Sequence, residues 1–145
     1  MRRPVTATSA AILALTAVFT CGTGTGSAHA EKSCGFEFTF SQPTVLGSQI
    51  LGRGLAQCDV TPSEHLLTLS LERQQSGRWE TISHRTTGAL PPGPPNSLSY
   101  EVSAACYEGS WRVAMSVTGS LQGRPFVFSD HTRARDITSS QCPSR

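Results

Sequence analysis

Cysteine never recurs at knuckle spacing in this chain. The five cysteines fall at 21, 34, 58, 106 and 142, and no C-x-x-C pair occurs. That excludes a zinc knuckle and a thioredoxin-type redox centre. Lysine is nearly missing: Lys32 stands alone, and the other bases are arginine. Beyond residue 30 there is no long apolar run, so nothing in that part would hold the chain in a membrane. A basic footprint is missing too. Without Arg2 and Arg3, ten bases face ten acids, and a neutral surface argues against nucleic acid as a partner. No stretch keeps a helical period, no internal repeat is visible, and no nucleophile elbow occurs. The glycine cluster at 22–26 lies in the export segment and makes no phosphate loop.

What is present begins with that export segment. Arg2 and Arg3 give a positive start, residues 10–19 (AAILALTAVF) a short apolar run, and Ala28-His29-Ala30 a cleavage site. This is the pattern of a secretory signal peptide over 1–30. Arg2-Arg3 lacks the apolar consensus of twin-arginine export, and Val18-Phe19-Thr20 before Cys21 is a poor lipobox. The remainder, 31–145, has the size of one domain with a modest core. Four cysteines stay in it: Cys34, Cys58, Cys106 and Cys142. An even number in an exported chain implies two disulfides, with three ways to pair them. Cys34–Cys58 with Cys106–Cys142 is the pairing expected, because each bridge joins neighbouring elements and neither closed loop threads the other.

Period-two alternation runs through this part. In 34–40, Cys34, Phe36, Phe38 and Phe40 share a face. Ser41-Gln42-Pro43 breaks the run. Residues 49–58 (QILGRGLAQC) form a weaker strand, with a bend or bulge expected at Gly52 and Gly54. In 65–74, Leu67, Leu69 and Leu71 face one way; Gln75-Ser76-Gly77-Arg78 turns, and Trp79 to Thr86 returns as the hairpin partner. Residues 89–96 (ALPPGPPN) carry four prolines and form a stiff connection. The most regular stretch is 98–118. Leu98, Tyr100, Val102, Ala104 and Cys106 alternate, then Trp111, Val113, Met115 and Val117, with Gly109 as the only glycine between them. Two strands joined in a hairpin are expected there. Strands at 125–128 and, as a solvated edge, at 132–141 complete an all-β pattern of sandwich or barrel type.

Chemistry has little to stand on. His65 and His84 fall about three positions out of register if Leu71 opposes Glu80, so a metal site with Glu64 is not expected. His131 with Asp130 or Asp136 makes a triad only on paper. Glu37, Glu72, Glu80, Glu101 and Glu108 read as solvated strand or turn positions. Trp79 and Trp111 could stack a sugar, but Trp111 shares its face with core residues. Arg112 and Arg124 read as solvated. No catalytic residue, metal or cofactor is expected.

The runs 65–72 (HLLTLSLE), Gly77-Arg78-Trp79, Tyr100 followed by 106–113 (CYEGSWRV), Gly119 and Cys142 together resemble small exported actinobacterial proteins with Ig-like sandwiches. Arginine in place of lysine, with abundant Ala, Gly, Thr and Ser, fits a high-GC genome of that kind. The resemblance implies an Ig-like antiparallel β-sandwich and export, and it implies no activity. An antibody-type domain would bridge its sheets, here as Cys58–Cys106 around Trp79. A second likeness, at 117–124 (VTGSLQGR), is to a hairpin of streptomycete subtilisin inhibitors; their cysteine-before-proline reactive loop has no counterpart, since Cys142-Pro143 has no return strand after it.

The resulting expectation is a secreted, non-catalytic sandwich that binds an extracellular protein or cell-wall component, with protease inhibition as the alternative. Leu90, Pro91, Pro92, Pro94 and Pro95 are the expected contact loop. Proline leaves that loop few unfolded states to lose, and Leu90 gives it an apolar tip.

Overall fold

A computed structural model describes residues 33–143; the expected signal peptide over 1–30 and its expected cleavage site lie outside the described residues. The alternating runs become strands β1 (Cys34–Phe38), β2 (Thr44–Leu46), β3 (Gln49–Cys58), β4 (Glu64–Gln75), β5 (Arg78–Thr87), β6 (Leu98–Ala105), β7 (Gly109–Leu121), β8 (Arg124–His131) and β9 (Arg135–Ile137), followed by a 3-10 turn at Ser139–Gln141.

Two antiparallel sheets result. In the first, β3 is central: β6 lines one edge, and β1 and β2 share the other. The second runs β5-β4-β7, with β8 and β9 sharing the far edge of β7. Side chains at alternate positions point to one face, so each sheet turns one apolar face inward. Ile50, Ala56, Tyr100 and Val102 come from the first sheet. Leu67, Leu69, Leu71, Trp111, Val113, Met115 and Val117 come from the second. Together they make the core of a β-sandwich. Both disulfides form, as Cys34–Cys58 and Cys106–Cys142. The first staples opposed residues of β1 and β3. The second ties the end of β6 to the turn after β9. Neither is the Cys58–Cys106 bridge of an antibody-type domain.

The 98–118 stretch departs from its expected hairpin. β6 pairs with β3 and β7 pairs with β4, so the chain crosses from one sheet to the other between them. Two apolar faces explain why. In a hairpin they would lie side by side; here Tyr100 and Val102 meet the Trp111–Val113 side through the interior. Gly109 does take a positive φ of 136°, but at the start of β7, after the crossing. Trp111 Nε1 donates to the Tyr107 carbonyl at 3.0 Å, which holds the crossing against the core.

The glycines of β3 mark close approach instead of a bulge, for the register of β3 against β6 is continuous. A β-carbon on Gly52 would lie 2.7 Å from Val113 Cγ2, and one on Gly54 would overlap the Phe36 ring. The missing side chains let the second sheet approach β3 and let Phe36 lie over its backbone. The β4–β5 hairpin forms as expected. Its two-residue turn, Ser76-Gly77, has φ of 50° and 77°, the left-handed pair that suits strand twist. Its register differs from the expectation: Leu71 opposes Ser83, Thr81 opposes Glu72, and Ile82 is bulged out between them. The 132–141 edge shrinks to the three residues of β9, and β2, too short to read as an alternation, appears after Pro43.

One flank of the sandwich is locked where its edge strands break. Arg133 N donates to Ser41 O at 3.0 Å. Gln42 Nε2 reaches Ala134 O at 2.9 Å, and Arg135 Nη1 reaches Pro43 O at 3.0 Å. The kink between β1 and β2 thus clasps the kink between β8 and β9, and the two sheets are hydrogen-bonded together there. Thr132, 5% exposed, sits under the clasp; its hydroxyl accepts from Val113 N and donates to Arg133 O.

Candidate interaction surface

A strand residue one step out of phase with the core points to solvent. Leu66 lies between the buried His65 and Leu67, and Val127 lies between Phe126 and Phe128. Register aligns them. Leu66 opposes Thr118, and Thr118 opposes Val127, in one row across β4, β7 and β8 on the outer face of the second sheet. Leu90 joins them from the proline connection. Leu66, Leu90 and Val127 are 50%, 44% and 74% exposed. They line a shallow cavity of about 620 Å³ with Gly88, Thr118 and Pro125. No strand carries an apolar run on its outer face; the cluster is built from single residues on three separate elements. The signal was present as two apolar residues at the wrong phase.

The expected contact loop is only half available. Leu90, Pro94 and Pro95 are exposed, whereas Pro91 is buried. The Pro92 carbonyl accepts from Cys58 N at 3.0 Å, and the Gly93 carbonyl accepts from Asn96 N at 3.1 Å. The connection is docked on the end of β3 and presents Leu90 beside the sheet.

The other sequence candidates disperse. His84 opposes Ser70 on β4, five residues from His65, so the two are further apart than expected. Among the described residues no three His, Cys, Asp or Glu side chains gather closely enough to hold a metal. His131 Nδ1 lies 3.0 Å from the Thr132 carbonyl, and Asp130 Oδ1 accepts from the backbone N of His131, not from its ring. Glu72 accepts from Arg112 Nε at 2.6 Å, and Glu101 from Arg53 Nε at 2.5 Å. Glu37, Glu80 and Glu108 are exposed on separate elements. Trp111 is fully buried, so no pair of tryptophans offers a sugar platform. Trp79 is half-buried on the outer face, with the Arg112 guanidinium 4.4 Å from its ring centre. Phe40, expected on the buried face, is 49% exposed because β1 ends at Phe38.

His65 is buried beside the Phe126 ring, 6.4 Å between centroids, and its Nδ1 has no hydrogen-bond partner among the described residues. Burial lowers its pKa below the ordinary histidine value. Burial also raises that of Tyr100, whose hydroxyl is likewise unpartnered.

Fold and surface together define a disulfide-bonded β-sandwich with an apolar spot on one outer face. No protein-family model matches the chain, and no curated protein matches it by sequence. Among solved structures it is similar to a protein from Archaeoglobus fulgidus, at 15% identity and a TM-score of 0.40, over 74% of this chain and 95% of that one. Two disulfides are consistent with an extracellular protein. No helix among the described residues is long and apolar enough to cross a membrane.

Proposed function

We propose that this chain is an exported, non-catalytic binding module with an Ig-like sandwich, and that it holds an extracellular protein against Leu66, Leu90 and Val127. The carrying observation is that three exposed apolar side chains from three elements converge on one cavity. Such groupings mark interaction sites more often than scattered surface leucines do. The Ig-like reading is supported by the strand partition. β1, β3 and β6 stand as A, B and E; β4, β7 and β8 stand as C, F and G. β5 lies beside β4 instead of joining the first sheet. Export is supported by the signal-like 1–30 and the two bridges.

The test is capture from the culture medium of the source organism with the tagged chain. The triple variant Leu66→Ser, Leu90→Ser, Val127→Ser should keep its melting midpoint and lose the captured protein. Retention of the same protein by the folded variant would place the contact elsewhere. Assaying a subtilisin-like protease with both forms addresses the inhibitor alternative, which would use the stiff 89–96 connection: inhibition by the parent chain supports that alternative, and its loss in the variant assigns it to the same surface.

A further inference from the structure

Every open sheet needs a device at its edges. Here β1 with β2, and β8 with β9, are broken and clasped, and β8 carries Pro125, which has no N–H to offer. β6 carries one charge, Glu101, engaged by Arg53. β5 is different. It is ten residues long and forms the outer edge of the second sheet. Seven of its residues are exposed and three are half-buried. Its charges are of both signs.

The bulge at Ile82 orders those charges. Without it, Glu80 and Arg85 would point to opposite faces, since they are an odd number of steps apart. With Ile82 set aside, both lie on the core-side face of the sheet, exposed at its margin. Glu80 opposes Arg73 and Arg85 opposes Leu69, and both β4 partners lie on the core side, Arg73 with its guanidinium 5.8 Å from the buried Trp111 ring. Glu80 and Arg85 then stand symmetrically about Ser83. Neither makes an ion pair with another described residue.

We infer that β5 is a self-pairing edge, on which a second copy of this chain adds its own β5 antiparallel about a two-fold at Ser83. In that register Glu80 faces Arg85 of the second copy, and Arg85 faces Glu80 of the second copy, on one face of the joined sheet. Thr81 faces His84, Trp79 faces Thr86, and Arg78 faces Thr87. The two bulged Ile82 residues flank the axis. Opposite charges directly across an antiparallel pair are stabilising, and like charges are destabilising. A strand carrying one sign of charge would repel its copy; this one attracts it. The axis is perpendicular to the sheet, so both copies turn the Leu66–Val127 face the same way. A partner with repeated contacts would meet two such surfaces at once. The pairing itself stands independently of that surface.

The experiment is sedimentation velocity of the purified protein over a concentration series. The parent chain should pass from monomer to dimer with concentration, more weakly as salt rises. Glu80→Arg sets a new guanidinium against Arg85 of the second copy, and Arg85→Glu sets two carboxylates together. Each variant alone should self-associate at least about tenfold more weakly, because two symmetry-related attractions become repulsions. An equal mixture of the two variants restores opposite charges at both contacts and should dimerise like the parent. A parent chain that stays monomeric across the series, or a mixture that associates no better than either variant alone, overturns the inference.

Discussion

The two flanks of this sandwich solve the same edge problem in opposite ways. On one side the edge strands are interrupted, at 41–43 and at 132–134, and the interruptions bind each other through Arg133, Gln42 and Arg135. On the other side β5 runs unbroken but for one bulge, with seven of its ten residues exposed. The locked flank satisfies its backbone within the chain, and the open flank leaves it to solvent or to a partner. The lesson is that broken strands are not weak strands. A kink frees carbonyls and amides, and these link two sheets that regular pairing cannot link.

Trp111 stands between the flanks, so its removal is the severest way to break the comparison. It opposes Arg73 on the β5 side and Arg135 on the clasped side. Trp111→Ala should cost about 3–5 kcal/mol, the range for truncating a large buried aromatic. Chemical denaturation measures it. A loss under about 1 kcal/mol would mean that the flanks stand without their common post.

Acid sharpens the comparison more gently. His65 packs against Phe126 of β8 at one end of the second sheet. Its folded pKa is lowered by burial, so the unfolded chain binds the proton more readily. The stability this neutrality gives is fully present above the ordinary value of 6.5 and is lost as pH falls through the lowered folded value. Denaturation midpoints should therefore fall as pH drops from neutral, and His65→Leu should flatten that slope. An unchanged slope in the variant would assign the acid response to other groups.

Much of the core was legible in the chain. Leu67, Leu69, Leu71, Trp111, Val113, Met115 and Val117 alternate strictly, and strict alternation has one physical meaning on a half-buried sheet. The disulfide pairing was legible because each bridge joins neighbouring elements and neither closed loop threads the other. Sheet membership was not. Alternation says which side of a strand is apolar and is silent on which strand lies beside it, so 98–118 read as a hairpin although β6 and β7 belong to different sheets. The glycines of β3 were ambiguous for a like reason: Gly52 and Gly54 suit a bulge or a close approach, and only Val113 and Phe36, distant in sequence, decide. The apolar surface was half legible. Leu90 stood out on its proline-rich connection, while Leu66 and Val127 were hidden beside stronger core residues and gained meaning only through register.

The contrast between the flanks is tested most directly by residue-resolved amide hydrogen exchange in dilute solution. Thr132 and Arg133 lie outside any strand, yet their amides donate to Val113 O at 2.9 Å and Ser41 O at 3.0 Å. They should exchange as slowly as the amides of β7, whereas the β5 amides turned away from β4 should exchange almost as fast as an unprotected chain. Fast exchange at Thr132 and Arg133, with slow exchange along the outer side of β5, would contradict the account of a locked flank and an open one.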